Sequence, residues 1–200
     1  MKIESCSIEI LKIPEEGAYQ AAGRPVDANW HVLARVRTTD GIEGVGYIVQ
    51  PRGDLIRTIA AGAEELSNGL TGKYICNTEA IWSRLSDQAN WVGPGGLLHW
   101  SLAPIDIAVW DAFGKSLVQP IFRLLGGYRD KVTAYASDRM WYSVSIDDLQ
   151  QSIRGYVDAG YGGVKLRLSH TAPPGEQAER ARHAKAAAGP DVAVMVDATE

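Results

Sequence analysis

The sequence has little of what marks secreted, membrane or nucleic-acid-binding proteins. Its 200 residues contain two cysteines, Cys6 and Cys76, too few for a disulfide framework, so we expect reduced, buried thiols. No apolar run is long enough to span a membrane, and the charged, alternating start is not a signal peptide. The basic residues are scattered and the net charge is only −4, which gives nucleic-acid binding little support. We therefore predict a cytosolic (cytoplasmic) protein with neither a membrane nor a nucleic-acid partner.

The last part of the chain has the pattern of a strand, a helix and a second strand. Residues 163–168 (GVKLRL) alternate apolar and basic side chains, which is the period of a strand. Residues 192–197 (VAVMVD) are apolar until Asp197, as expected of a parallel strand buried on both faces. Residues 175–188 look helical, and Gly189 with the following proline ends that helix. These segments predict a βαβ unit.

Lys165, Arg167 and Asp197 form a candidate polar cluster at the carboxyl ends of these strands. The two basic residues share one strand face, and neighbouring strands lie roughly 5 Å apart, so Asp197 is a candidate anionic partner. One interpretation is a structural ion-pair cluster. The other is a functional site, because the carboxyl ends of barrel strands carry the chemistry. A carboxylate facing two cations there is typical of a site for a metal-bound anionic substrate.

The first part of the chain predicts an antiparallel sheet. Its strands are residues 2–13, 31–39 and 42–49. Asp40 and Gly41 favour a hairpin turn between the last two. Residues 14–29 are interrupted by proline and glycine and are predicted to be a loop, which contains Tyr19 and Arg24.

Helices follow the sheet. Asp54 and Thr78 are predicted to cap the first and second of them. Residues 90–96 form a glycine-rich loop that lacks the lysine of a phosphate-binding loop, and we expect Trp91 in it to pack over a neighbouring pocket. Residues 97–117 are apolar nearly all round, which favours a helix buried between two layers.

Two adjacent motifs resemble one known family. Residues 103–115 (APIDIAVWDAFGK) and 120–127 (PIFRLLGG) are similar to the linking helix of the enolase superfamily, mandelate racemase branch. The resemblance implies an α/β fold with an α+β cap: a capping domain over residues 1–127, then a modified TIM (β/α) barrel beginning at residues 128–200. The first three barrel strands would be residues 132–137, 163–168 and 192–197.

The resemblance also implies a Mg²⁺ cofactor. In that family, carboxylates at the ends of barrel strands three, four and five hold the ion, and Asp197 matches the first of them. The metal binds the substrate's carboxylate and takes up charge as the α-proton leaves, which gives an enediolate. Strand two usually carries Lys-x-Lys, in which the second lysine is the base. Lys165 matches the first lysine, but Arg167 occupies the position of the base, and an arginine stays protonated at any ordinary pH.

A base on the opposite face is therefore expected, from a histidine–aspartate pair on later strands. That pair and two further metal carboxylates would lie after Glu200, since a barrel closes with eight strands. We expect these residues to be the first half of a protein roughly twice as long. Its partner would be a small carboxylate substrate, and the protein would be a homo-oligomer. Tyr19, Arg24, Trp91 and His170 are candidate substrate-binding residues, and for His170 the favoured alternative is an ordinary loop residue.

Four functions remain open at this stage. We favour an acid-sugar dehydratase, a lyase that abstracts the α-proton and expels the β-hydroxyl, because one base on one face suffices. A racemase or epimerase needs a competent base on each face, which Arg167 disfavours. A cycloisomerase generally relies on the lysine pair. A catalytically inactive relative would lack the later carboxylates.

Overall fold

The computed structural model describes residues 1–21, 24–88, 90–93, 95–169 and 171–198. It divides into two compact units, Met1–Tyr128 and Arg129–Glu200, each of which is described by itself. No helix among the described residues combines the length and apolarity that crossing a membrane takes.

The first unit contains a three-stranded antiparallel sheet followed by helices. The strands, in spatial order, are β1 (Ile3–Ala21), β2 (Arg24–Thr38) and β3 (Glu43–Pro51). The helices are α1 (Ile56–Ser67), α2 (Thr78–Asp87), α3 (Leu97–Leu117) and the short α4 (Ile121–Leu124). The predicted α+β layout of this part is confirmed.

The predicted loop over residues 14–29 is wrong for its described residues, because β1 continues to Ala21 and β2 begins at Arg24. Pro14 pairs with Ala28 and Tyr19 with Val26, with a register shift between the two pairs. The shift absorbs the extra residues of β1 as a bulge. β1 is also an edge strand of this sheet, with β2 as its one neighbouring strand. A proline is tolerated in an edge strand, because its missing N–H can lie on the side that no strand faces.

The predicted turn at Asp40 and Gly41 is confirmed, with one more residue in the loop. Gly41 N donates to Thr38 O at 2.9 Å, and Thr38 N donates to Ile42 O at 2.9 Å. Gly41 has φ 82°, the left-handed conformation that glycine adopts without steric cost. The connection is thus the three-residue hairpin loop that ends in a glycine.

One face of the sheet packs against α1 and α3. The buried residues that β2 and α1 contribute to this core lie on alternate positions of the strand and at helical spacing on the helix: Val32, Ala34, Val36, Ile56, Ile59, Ala60, Ala63 and Leu66. β3 approaches α3 so closely that a Cβ built on Gly46 would lie 2.1 Å from the carbonyl oxygen of Pro104. A Cβ on Gly44 would lie 2.1 Å from the oxygen of Ala108. The two glycines therefore permit this strand–helix contact.

Polar contacts fix α3 to β3 beside these glycines. Asp111 accepts a hydrogen bond from Val45 N at 2.8 Å and pairs with Lys115 at 2.7 Å. Lys115 Nζ also donates to Glu43 O at 2.9 Å. Within this unit only one face of α3 is covered, since Trp100 and Ile107 on its other face are 41% and 44% exposed. The predicted burial on nearly all sides is therefore wrong for the described chain, because one face of the helix is exposed.

Both predicted helix caps in this unit are wrong. Asp54 instead accepts a hydrogen bond from Arg52 at 2.7 Å, and α1 starts after Leu55 without a side-chain cap. Thr78 is the first residue of α2, and Asn77 precedes it without a capping hydrogen bond. The cysteines are free, but only Cys6 is partly buried, whereas Cys76 is exposed.

The second unit is built on two parallel strands. These are β4 (Gly163–Arg167) and β5 (Ala193–Asp197), joined by α6 (Pro174–Ala188) and preceded by α5 (Ile146–Asp158). The helix α5 begins with a capping bond in which Ser145 Oγ accepts from Asp148 N at 3.1 Å. Leu149 and Ile153 of α5, Ala184 and Ala188 of α6, and Val164 and Leu166 of β4 form the core. The predicted βαβ unit is confirmed.

Two expectations for this sheet fail in detail. The predicted strand over residues 132–137 is a single parallel bridge between Ala136 and Val164, because no described strand pairs with residues 132–135. The strand β5 is not buried on both faces, and Val196 is 48% exposed. Among the described residues β5 pairs only with β4, so it is an edge strand with one covered face.

Candidate active site at the carboxyl ends of two parallel strands

Strand alternation sets the orientation of the basic residues on β4. Val164 and Leu166 are fully buried against the helices. Lys165 and Arg167 therefore lie on the opposite face, at the end of the strand. The parallel register places Lys165 level with Met195, and Arg167 level with Asp197.

The carboxylate of Asp197 pairs with Lys165. The distance from Lys165 Nζ to Asp197 Oδ2 is 3.2 Å, and the side chains are 28% and 29% exposed. Asp197 is held at its backbone as well, because its carbonyl accepts a hydrogen bond from Leu168 N at 2.9 Å. Lys165 Nζ also lies 5.7 Å from the centre of the Tyr135 ring, within the range of a cation–π contact.

Arg167 lies against the segment that precedes α5. Its guanidinium carbon is 4.8 Å from the centre of the Trp141 ring, and its backbone N–H donates to Met140 O at 3.0 Å. Stacking on an aromatic face is a property of arginine that lysine shares only weakly. The sequence analysis did not single out Trp141 or Tyr135. Their positions in and just after the predicted first barrel strand are the signal that could have pointed to them.

The other predicted site residues are described within their own units. Arg24 is exposed at the start of β2, and Trp91 is completely exposed, which contradicts the packing over a pocket that we expected. Tyr19 lies in β1, where its backbone pairs with Val26. His170 lies outside the described residues. The structure thus brings together Lys165, Arg167 and Asp197, and the roles of all seven residues stay predictions.

Asp197 is a suitable but single donor for a divalent cation. A carboxylate at a strand end supplies the hard oxygen that Mg²⁺ prefers. Within the described ranges, no three histidine, cysteine, aspartate or glutamate side chains are grouped so that they could hold a metal ion. The donor chemistry fits Mg²⁺, and Asp197 would be one ligand of a larger set.

The fold and this cluster define a class: an α+β capping domain followed by the start of a (β/α) barrel with charged groups at the strand ends. Residues 8–126 match the model of the mandelate racemase / muconate lactonizing enzyme N-terminal domain. The chain therefore belongs to this family of the enolase superfamily.

Two relatives named as sugar-acid enzymes match nearly the whole chain. The L-talarate/galactarate dehydratase of Salmonella typhimurium LT2 is 30% identical over 192 residues, which are 95% of this chain and 48% of the relative. The D-galactarolactone cycloisomerase of Agrobacterium fabrum is 29% identical over 202 residues, which are 99% of this chain and 52% of the relative. The chain thus spans about half the length of these relatives.

Solved structures agree in fold. The Salmonella dehydratase liganded with Mg and L-lyxarohydroxamate superposes with a TM-score of 0.91 at 27% identity, over 100% of this chain and 52% of that one. The L-talarate dehydratase of Polaromonas sp. JS666, complexed with Mg and L-glucarate, has a TM-score of 0.89 at 25% identity, and the match covers 100% of this chain and 54% of that one. The predicted cap and barrel start are confirmed.

Proposed function

We propose that the whole protein containing this chain is a Mg²⁺-dependent dehydratase of acid sugars. In this reaction the α-proton moves to a base, the β-hydroxyl leaves as water, and the resulting enol becomes a 2-keto acid. The observation that carries the proposal is the ion pair between Lys165 and Asp197 beside Arg167, at the carboxyl ends of parallel strands. Dehydratases of acid sugars recur among the relatives.

Asp197 would hold the Mg²⁺ ion together with ligands from other strands. Bound there, the ion supplies divalent positive charge to the substrate's carboxylate as the α-proton leaves. The carboxylate of Asp197 is already in a charged environment, since Lys165 Nζ lies 3.2 Å from it. Lys165 would therefore sit beside both the metal ligand and the substrate.

Lys165 would stabilise the anionic substrate. A carbon acid next to a carboxylate is very weak, so the charge that develops needs cations placed in advance. Lys165 is less than one-third exposed, which strengthens its electrostatic effect relative to a fully solvated lysine. Its position on the face away from the helices supports a role towards substrate.

Arg167 would bind rather than abstract. A general base must be unprotonated to accept a proton at the operating pH. A guanidinium stays protonated at ordinary pH and therefore cannot do so. Its planar group suits a carboxylate or hydroxyl oxygen. The base then belongs to the other face of the substrate, which supports one-sided proton chemistry. Arg24, exposed near the end of the β1–β2 hairpin, and Tyr19 stay candidates for contacts with substrate hydroxyls.

Cycloisomerisation is the second candidate. Two cycloisomerases of sugar-derived substrates are among the relatives, at 29% and 25% identity. Their activity would share α-proton abstraction but retain all the atoms of the substrate. Product mass separates the two, because a dehydratase releases water, whereas a cycloisomerase that expels a ring oxygen can form a keto acid with the mass of its substrate.

The test is a substrate screen with the full-length protein. Galactarate, talarate, galactonate, arabinonate and galactarolactone are incubated with enzyme and Mg²⁺, and 2-keto acid is measured with semicarbazide. We expect keto acid from at least one acid sugar, with loss of activity in EDTA and recovery on adding Mg²⁺. Conversion of the lactone to a product of the same mass by mass spectrometry, with no dehydration of the acid sugars, would favour the cycloisomerase, and no turnover of any compound would contradict both.

A further inference from the structure

Helix α6 holds the segment that leads from Ala136 to α5. The guanidinium of Arg180 donates to Val144 O at 2.7 Å and to Trp141 O at 2.5 Å. These acceptors lie 36 and 39 residues earlier in the chain, so the bonds tie two distant segments together. The fork of an arginine can serve both carbonyls at once, which a single ammonium does less well.

The same segment contacts Arg167 at two points. The ring of Trp141 lies 4.8 Å from the Arg167 guanidinium, and Met140 O accepts from Arg167 N at 3.0 Å. Trp141 therefore links Arg180 to Arg167: its carbonyl accepts from one arginine, and its ring packs against the other. A shift of its backbone would move the surface on which the Arg167 side chain lies.

The environment of Arg180 indicates that its position is specific. Burial lowers the pKa of Arg180, and its Nε is buried without a hydrogen-bond partner among the described residues. A surface arginine with no positional role would keep all its donors in water. Arg180 instead gives up hydration of one donor, and its two carbonyl bonds offset part of this cost.

A second residue of α6, Gln177, makes hydrogen bonds to the backbone of the loop that follows β4. Gln177 Nε2 donates to Ser169 O at 2.7 Å and to Ala172 O at 3.2 Å, while its Oε1 accepts from Ser169 N at 2.8 Å. Gln177 and Arg180 lie three residues apart and therefore share one side of the helix. That side of α6 thus holds the loops that follow both Ala136 and β4.

We propose that Arg180 is a positioning residue for Arg167, acting through the Trp141 backbone and ring. Its effect on turnover rests on the proposed function, in which Arg167 binds the substrate. The structural coupling itself does not. Arg180 touches no reacting group. Arg180 holds the segment that contains Trp141, and the Trp141 ring orients the guanidinium of Arg167, which contacts the substrate in the proposed function.

The coupling is tested by fluorine NMR on the full-length protein labelled with 5-fluorotryptophan. Trp141→Phe identifies the Trp141 resonance by its disappearance. We expect both Arg167→Met and Arg180→Lys to shift or broaden that resonance, and the double variant to show less than the sum of the two changes. Arg182→Lys is the matched control, because Arg182 lies on the same helix, is 66% exposed and pairs with Glu179.

Kinetics test the consequence. Arg180→Lys should lower kcat/KM roughly tenfold to a hundredfold, since a small misplacement of a binding group costs that much. In the Arg167→Met background the same change should have little effect, whereas a purely structural role would lower kcat/KM by the same factor in both backgrounds. Arg180→Gln, whose amide can still donate to one carbonyl, serves as the second variant if Arg180→Lys does not fold.

Two outcomes would overturn the proposal. One is a Trp141 resonance that is the same in Arg180→Lys, Arg180→Gln and the parent protein. The other is an equal loss of kcat/KM for Arg180→Lys and Arg182→Lys. A shifted Trp141 resonance in a protein that turns over no acid sugar would leave the coupling standing and contradict the proposed function alone.

Discussion

The Nζ atom of Lys165 lies 3.2 Å from Oδ2 of Asp197 on the neighbouring strand. Lys165 is level with Met195, and Arg167 is the residue level with Asp197. The lysine therefore reaches along the strand towards its carboxyl end, while the arginine lies over Trp141. The two cations share one strand face, and the structure gives Lys165 a contact with Asp197 and Arg167 a contact with Trp141.

We predict that Asp197→Asn weakens Mg²⁺ binding by the full-length protein. An amide keeps the shape of the side chain but loses the negative charge that a divalent cation requires. Calorimetric titration should show at least tenfold weaker binding, which is about 1.4 kcal/mol. The melting temperature should change little. An unchanged Mg²⁺ affinity would remove Asp197 from the ligand set.

Lys165→Ala should reduce turnover far more than stability. The ion pair is about 70% buried, so its loss should cost about 1 kcal/mol of unfolding free energy. Turnover should fall about 10²–10³-fold, the usual cost of one group that stabilises a developing anion. Steady-state kinetics and thermal melting on the same preparation give both numbers.

Lys185→Ala is the matched comparison for Lys165. Its Nζ donates to the backbone oxygens of Pro190 and Val192 at 3.2 and 3.0 Å, just before the amino end of β5 and so away from the carboxyl ends of the strands. We expect this variant to lose stability, by about 1–3 kcal/mol, with near-normal turnover. If Lys165→Ala behaved like Lys185→Ala, the lysine would have a structural role only.

Because Arg167 occupies the position of one base, we predict that the enzyme abstracts the α-proton from one face of the substrate only. In D₂O the full-length enzyme should exchange or eliminate the α-hydrogen of only one epimer at C2, because a guanidinium cannot serve as the base on its face. The exchange is measured by proton NMR for each epimer separately. Comparable exchange from both epimers would require a second base. It would then favour a racemase over the proposed dehydratase.

Gly46→Ala should destabilise the first unit strongly. The added Cβ would lie 2.1 Å from the oxygen of Pro104, so β3 and α3 must move apart. The expected cost is about 1–3 kcal/mol or more, from chemical unfolding curves. Gly155→Ala is the control, because Gly155 lies in α5 with nothing near its Cβ position. That change should stabilise by about 0.5–1 kcal/mol. Equal effects would refute the close packing.

The cysteines should react at different rates. Burial, opposed in part by a hydrogen bond with Ser67, raises the pKa of the Cys6 thiol to about 11. At pH 8 iodoacetamide should therefore modify the exposed Cys76 well before Cys6, as peptide mass spectrometry would show. The raised pKa also favours folding below about pH 9, and this contribution is lost as the pH rises towards 11. Cys6→Ser should remove both the slow labelling and this alkaline loss, and faster labelling of Cys6 would contradict the burial.

The periodic patterns predicted the elements well. The spacing of Ile56, Ile59 and Ala63 predicted α1, and each is buried. Alternation in residues 163–168 placed Lys165 and Arg167 together on one face of β4. Such patterns record how side chains relate to neighbours in their own segment, and local backbone geometry sets that relation.

Proline and glycine were less reliable signals. Pro14 and Gly17 suggested a loop, but β1 continues past both. A proline or glycine need not end a strand where a bulge can accommodate it. The register shift between Pro14 and Tyr19 is such a bulge. Gly44 and Gly46 lie inside β3 and form no turn. Their role is the close approach of α3, a segment more than 50 residues away.

The sequence by itself determined the family, the order of strands and helices, and the presence of two cations and a carboxylate at strand ends. The tertiary structure decided that Lys165 pairs with Asp197 and that Trp141 packs on Arg167. The physical reason is distance along the chain. Local propensity and periodicity act within a few residues, whereas the partner of a charge depends on strand register and on loops held by remote helices, which are set only when the whole unit packs.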